Sequence, residues 1–218
     1  MQHKASDYPA ASSSPSTTSG RNGRRDEIVR IATQLFATRG FHGTTVSDLA
    51  DGVGLNKATL YYYYPSKALL LYEIYRRAAS ATLAAVEPRT DRRPKDALHE
   101  CISNLMRIVA ADTDAAAVYA QEGPYISEWF TDEQLSEVHR VETVVCERIR
   151  DIIERGVAVG EFHTCDSHLL ALGYLGLTLG SHRWLRLGSP ESADRSATEI
   201  SRTLLRGLSR HDDGETHA

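Results

Sequence analysis

Between Thr44 and Lys67 the chain reads TTVSDLADGVGLNKATLYYYYPSK, and its punctuation leaves little freedom in how it folds. Thr45 is an N-cap residue, and Asp48, three positions on, can bond back to the cap backbone or favour the positive end of the helix dipole. Gly54 permits the backbone angle of a turn, Asn56 is a second N-cap, and Pro65 ends what Asn56 begins. Two short helices set at an angle by a tight turn are expected, and helices this short do not persist alone in water. In the first, Val46, Leu49 and Ala50 form the inward face, with Ala50 small where two helices cross. Leu55 plugs the core. In the second, Leu60 and Tyr61 are positioned inward, leaving Lys57, Ala58, Thr59, Tyr62 and Tyr63 outward. Gly52 is expected on the surface, where it weakens the first helix by about 1 kcal/mol relative to alanine.

The flanks supply the support. Ile28, Ile31, Ala32, Leu35 and Phe36 recur at the spacing of one apolar helical face, which predicts a helix from about Arg24 to Arg39. Gly40 stands in the left-handed position at its end, and Phe41 can fold back onto the last turn. Residues 1 to 20 are rich in Ser, Thr, Ala and Pro, and are expected to be disordered. Arg21, Arg24 and Arg25 then form either an arm that reaches nucleic acid or a solvated tail.

The rest of the chain is a series of capped helical patterns. Ser66 caps a long helix to about Val86, and Pro94 opens another through Val109. A shorter one over 114 to 130 is broken at Gly123 and Pro124. Thr131 with Gln134 forms a capping box ahead of a helix to Gly156. Asp166 caps a very apolar helix from Leu169 to Leu185, and Ser189 caps the last, ending near Leu208. A helix apolar on more than one side needs two partners, and one is expected to be a second copy of the chain. No strand alternation is present, so the fold class is all-α. The expected organisation is a tail over 1 to 20, a helix-turn-helix domain over 21 to 72, a larger body over 73 to 210, and a second tail over 211 to 218.

Charge separates the same parts. The 218 residues carry a net charge of -4, but residues 1 to 77 hold 10 Lys and Arg against 6 Asp and Glu, and the remainder holds 15 against 23. A basic module on an acidic body suits a polyanion-binding head. Three cysteines without framework spacing argue for free thiols in a reducing compartment. No apolar run approaches the ~20 residues of a membrane span and no signal pattern opens the chain, so a cytoplasmic location and no membrane partner are expected. No nucleophile elbow, phosphate-cradling glycine loop or paired metal-binding helix motif is present; no enzymatic activity and no cofactor are expected.

The run from Thr44 to Lys67, together with the preceding RIATQLFATRGFHGTT, resembles the DNA-binding domain of the tetracycline-repressor (TetR/AcrR) family. Phe36, Gly40, Phe41, Thr44, Thr45, Ala50, Gly54, Leu60, Tyr61 and Lys67 fall in family order without insertion. Tyr64 departs from the usual Phe, and Ala68 from a commonly acidic position. The resemblance implies a TetR-like helix bundle and a homodimeric regulator, by family default a repressor. Joined through its last two helices, it would bind an inverted-repeat operator in double-stranded DNA and be released by a small-molecule effector. It implies that Thr44, Thr45, Tyr63 and Lys67 contact phosphates, and that Lys57, Ala58, Thr59 and Tyr62 face the groove. A lysine to guanine, and a threonine methyl or an alanine to thymine, can specify sequence.

The body, with its IIERGVAVGEF turn and RWLRLGSPES ending, looks like the type found in repressors of lipid and sterol catabolism that sense coenzyme A thioesters. Candidate lining residues are Met106, Tyr119, Trp129, Phe130, Tyr174 and Trp184, with Arg107, His139, His182 and Arg183 as polar anchors; Arg183 and Arg186 could pair a phosphate or carboxylate. Core packing is the competing account of each aromatic. Two rival readings are a helical protein-interaction module and a metal-sensing regulator using His163, Cys165 and His168, completed by Cys146 or Asp166. The second matches no established zinc spacing, and Asp166 is better explained as an N-cap.

Overall fold

The computed structural model describes residues 17–185 and 190–209, with side chains from Arg21 to Leu185 and from Asp194 to Ser209. Every regular element among them is a helix, and the one extended pairing is an isolated bridge between Phe162 and Ser209. None of these helices is long and apolar enough to cross a membrane.

The first four helices form the head. Helix α1 (Thr17–Gly43) starts about two turns before the expected Arg24, inside the stretch expected to be disordered. Once packing has nucleated a helix, extending it costs little. The rest of the expected N-terminal tail, and residues 211 to 218, lie outside the described residues. Gly40 adopts φ 74° and ψ 165°, a conformation that side chains disfavour. The chain bends there and Phe41 returns edge-on to Phe36 with ring centroids 5.4 Å apart. Helix α2 (Val46–Val53) opens on the expected capping box of Thr45 and Asp48 and closes on Gly54 in the left-handed region. Helix α3 (Lys57–Tyr63) is capped by Asn56, and α4 (Lys67–Ala85) by Ser66. Gly52 is exposed, as expected, but it does not tolerate a side chain freely. A Cβ there would lie 2.9 Å from Ile31 Cγ2, so the missing side chain is what lets α2 cross α1 closely.

The body comprises α5 (Pro94–Ala111), α6 (Thr113–Glu122), a 3-10 segment (Gly123–Glu128), α7 (Asp132–Ala158), α8 (Ser167–Gly180), α9 (His182–Leu185) and α10 (Pro190–Leu208). The sequence pattern predicts one helix through Leu185. Instead the chain turns at Ser181, whose hydroxyl donates to Thr178 O, and resumes as the four-residue α9. Ser189, the expected cap of α10, lies outside the described residues. The end of α7 is locked to the end of α10: Phe162 N donates to Gly156 O at 3.1 Å and His163 N to Leu208 O at 3.0 Å.

Two main cores result. One joins α1 to α4 with Ala117, Val118, Ile126, Phe130 and Val138 of the body. The other lies between α5, α7, α8 and α10 around Leu98, Ile102, Met106, Ile149 and Ile153. Packing is therefore continuous across residue 72. Tyr75 of α4 shows how: it stacks on Tyr119 of α6 at 4.5 Å and donates its hydroxyl to Tyr119 O at 3.0 Å. All three cysteines are free, and burial pushes the Cys101 thiol up to about 12.

Candidate nucleic-acid interface

The geometry of the head follows from its caps. Thr45 accepts from Asp48 N at 3.1 Å, while Asp48 Oδ2 accepts from the Thr45 hydroxyl at 2.6 Å and from Thr45 N at 2.8 Å; the two bonds to the carboxylate, the hydroxyl's first, hold the Asp48 carboxyl below its ordinary range. Asn56 Oδ1 accepts from Thr59 N at 2.8 Å and from the Thr59 hydroxyl at 2.9 Å. With Gly54 N returned to Ala50 O and Asp51 O, the second short helix leaves the first through a fixed turn.

Helix α3 buries Leu60 and exposes Lys57, Ala58, Tyr61 and Tyr62, with Thr59 and Tyr63 half-buried. Tyr62 is the most open, at 66%, and stands edge-on to Tyr63. Tyr61 is 46% exposed, which corrects the expectation that it fills the core. In seven residues the core-facing arc is filled by Leu60, and the inward aromatic is Tyr64, at 5%. Thr44 corrects another expectation. It is fully buried and its hydroxyl donates to Gly40 O at 2.9 Å, so its side chain stabilises the bend after α1 instead of facing a duplex. Thr45 remains exposed.

Lys67 is half-buried. Its ammonium donates to Phe41 O at 2.6 Å and to Thr44 O at 2.9 Å, and lies 4.1 Å from the Phe41 ring centroid. Burial lowers its pKa, with the charge of Glu122 opposing that shift. Two of three ammonium protons thus serve the α1–α2 turn, which reduces what the expected phosphate clamp has to offer.

Glu122, at the end of α6, is a residue for which the sequence offered no signal. Its buried carboxylate accepts from Phe41 N at 2.8 Å, so the peptide units flanking Phe41 are held by the body on one side and by Lys67 on the other. Trp129 packs on Phe41 at 4.3 Å and on His42 at 5.1 Å. Glu122→Leu, which leaves a buried N–H without an acceptor, is expected to lower stability by about 1–3 kcal/mol, and Glu122→Gln by less. Urea unfolding of both variants measures this; equal losses would show that the charge, and not the acceptor, matters.

Arg24 and Arg25 are also engaged. Arg24 donates to Val53 O at 3.1 Å and pairs with Glu27, and Arg25 donates to Tyr63 O at 2.8 Å. Neither extends as a free arm. Arg21 is exposed, its guanidinium 5.3 Å from the centroid of the Tyr62 ring.

The residues expected to line an effector site are not brought together. Tyr119, Trp129 and Phe130 pack with the head core, and Met106 and Tyr174 with the second core. His182 is buried, with Nδ1 2.7 Å from Leu179 O. Arg107 is exposed and paired with Asp194 at 2.8 Å, and His139, Arg183 and Trp184 are exposed. Arg186 lies outside the described residues. The dispersal has a simple cause: aromatic side chains at helical spacing fill whichever core their own helix meets. As for metal, no group of three or more His, Cys, Asp or Glu that could hold an ion occurs among the described residues. Cys146 Sγ and His168 Nδ1 are 3.9 Å apart, and Asp166 accepts from Leu169 N at 2.9 Å as an N-cap.

Against known proteins, residues 28–74 match the model of bacterial regulatory proteins of the tetR family, and residues 91–208 match that of the tetracyclin repressor-like C-terminal domain. The chain is 30% identical to the HTH-type transcriptional repressor KstR2 of Rhodococcus jostii over 196 residues, 88% of this chain and 94% of that protein. The TetR family regulator PfmR of Thermus thermophilus superimposes with a TM-score of 0.73 at 29% identity, over 86% of this chain and 98% of that one. AibR, solved with isovaleryl coenzyme A and operator DNA, has the same fold, with a TM-score of 0.69 at 18% identity over 81% and 97% of the two chains.

Proposed function

The chain belongs to the tetR family of bacterial regulatory proteins, and on that premise we propose that it is a homodimeric repressor that binds an inverted-repeat operator and is released by a small-molecule effector. DNA-binding transcriptional regulation is what the family carries. The observation that supports the finer reading is α3: a helix too short to stand alone, capped and seated so that Lys57, Ala58, Tyr61 and Tyr62 face outward together. Lys57 and Ala58 stand at its N-terminal end, which enters the major groove in helix-turn-helix proteins. Thr45, Thr59 and Tyr63 flank this face as phosphate and groove contacts, and Lys67 acts mainly through the backbone it holds.

For pairing, α8 presents Leu169, Leu172 and Leu177 at 65%, 47% and 39% exposure, with Gly173, Gly176 and Gly180 between them and open space beside each glycine. Such a stripe, apolar and narrow enough for close approach, suits a second copy of the same helix. We assign the effector to the body. A lipophilic metabolite or an acyl-coenzyme A thioester is the class we favour, supported by the same fold in AibR, which binds isovaleryl coenzyme A. Met106 and Tyr174, which share the core between α5 and α8, are the lining residues we retain. Release would follow from the effector's preference for a body state whose heads are mis-spaced, and could not exceed that differential affinity.

The test is a titration of the protein against duplexes selected from a random pool and against scrambled versions, at several salt concentrations, with and without isovaleryl coenzyme A and longer thioesters. Expected are recovery of an inverted repeat, a steep salt dependence, and release by at least one thioester. Lys57→Ala should reduce the preference for the selected duplex by about 10-fold and lower the salt slope by about one unit. Recovery of no preferred duplex would defeat the proposal.

A further inference from the structure

We propose that Arg25 is a positioning residue of the reading helix: from α1 it holds the C-terminal end of α3, and so sets the angle at which Lys57, Tyr61 and Tyr62 meet a duplex. This rests on the reading of α3 as the DNA-contacting helix.

The need for such a residue follows from the sequence of the helix end. The last carbonyls of a helix have no partner further along it, and α3 has only seven residues over which to absorb that loss. Tyr64 N donates to Leu60 O at 2.9 Å. The next residue, Pro65, has no N–H to return to Tyr61 O. The end of α3 would therefore fray unless something outside the helix held it.

Arg25 does so in two ways. Its Nη2 donates to Tyr63 O, the last carbonyl of α3, at 2.8 Å. Its guanidinium carbon lies 5.1 Å from the centroid of the Tyr64 ring, which is itself buried. A planar cation is thereby fixed at the negative end of the helix dipole. A lysine ammonium could donate to the carbonyl, but could not also lie flat over the ring.

The preceding residue does the same for the other short helix. Arg24 donates to Val53 O, the last residue of α2, and is tied in place by Glu27. Two consecutive residues on one turn of α1 thus fasten the C-terminal ends of both helices of the turn motif, while Thr45 and Asn56 fasten the N-terminal ends. Arg25 bonds the Tyr63 carbonyl and lies over the buried Tyr64 ring, and touches none of the exposed side chains of α3, so its effect on binding passes through the orientation of that face.

Two measurements on Arg25→Ala and Arg25→Lys separate the possibilities, with Arg30→Ala as a control that removes the same charge from an exposed position of α1. The first is amide hydrogen exchange in the DNA-free protein. The second is titration against the selected and scrambled duplexes at several salt concentrations. In Arg25→Ala, exchange over residues 60 to 64 should rise by about 10-fold or more while α4 and the body are unchanged. Preference for the selected duplex should fall by about 10-fold with the salt slope retained. Arg25→Lys should recover part of both effects, and Arg30→Ala should keep the wild-type preference. If Arg25→Ala weakens both duplexes equally and lowers the slope by about one unit, Arg25 is a phosphate contact and the proposal is overturned. Unchanged exchange over 60 to 64, or a uniform rise across the protein, overturns it as well. Because exchange is read without DNA, a wild-type protein that binds no duplex would bring down the reading of α3 and leave the clamp itself to be decided by the exchange result.

Discussion

Leu172→Glu together with Leu177→Glu is expected to convert the proposed dimer to a monomer in sedimentation and to weaken binding to the selected duplex by about 100-fold or more. Each leucine is more than a third exposed in the single chain, and fully covering a side chain of this size contributes about 1.5–3 kcal/mol. In a two-fold interface every residue is used twice, so the double variant places four carboxylates in one apolar contact. They must be desolvated, and they repel one another. Loss of pairing separates the two heads, and with them the gain of about 10²–10⁴ that comes from binding two half-sites as one molecule. The leucines contribute little to the fold of the single chain, so its melting should fall mainly through the loss of the dimer and become independent of protein concentration. A wild-type protein that sediments as a monomer, or a double variant that stays dimeric, would refute the assignment of this face.

Gly156→Ala is expected to destabilise the protein by about 2–4 kcal/mol, although alanine is the better helix former by about 1 kcal/mol. A Cβ at this position would lie 2.0 Å from Phe162 Cδ2 and 2.3 Å from Cε2, inside the ring's own volume. Phe162 has nowhere to go. It is 2% exposed, its N–H is bonded to Gly156 O, and it pairs with Ser209. Overpacking of this kind costs about 1–3 kcal/mol, and expulsion of the ring costs more. For a chain of this size the midpoint should fall by roughly 4–16 °C. Gly156→Ala combined with Phe162→Leu should lose less than the sum of the two single changes, because the smaller side chain removes the clash. A neutral or stabilising Gly156→Ala would mean that the α7–α10 clasp is not closed in solution.

The head is largely legible in its sequence. Thr45, Asn56, Ser66, Thr131 and Asp166 all cap the helices expected of them, because a cap is a contact within three residues and its signal lies wholly in the local sequence. The all-α class and the order of helices followed from the same local rules. Tyr61 and Thr44 were misplaced for one reason: which side of a two-turn helix or a bend is buried depends on where its neighbour lies. The effector set failed more broadly. Residue type alone does not say which core an aromatic side chain joins, and Tyr119 and Tyr174 belong to different ones.

The sequence by itself determined where most helices are capped, that the chain is all-α, and that its first third carries a two-helix turn motif with a polar, aromatic outer face. Those properties depend on interactions spanning three or four residues, which periodicity and capping chemistry report directly. Only the tertiary structure decided what the charged side chains of that motif do. Lys67 reaches back 26 residues to Phe41, Arg25 reaches forward 38 to Tyr63, and Glu122 meets Phe41 across 81. Each could equally have stood in solvent as far as its neighbours in sequence could tell. A backbone carbonyl or N–H left open by a bend or a helix end attracts whichever long side chain the fold brings near, and that choice is made only when the helices pack. The run from Thr44 to Lys67 therefore carries its outer face in its own residues, while its orientation is held by residues outside it.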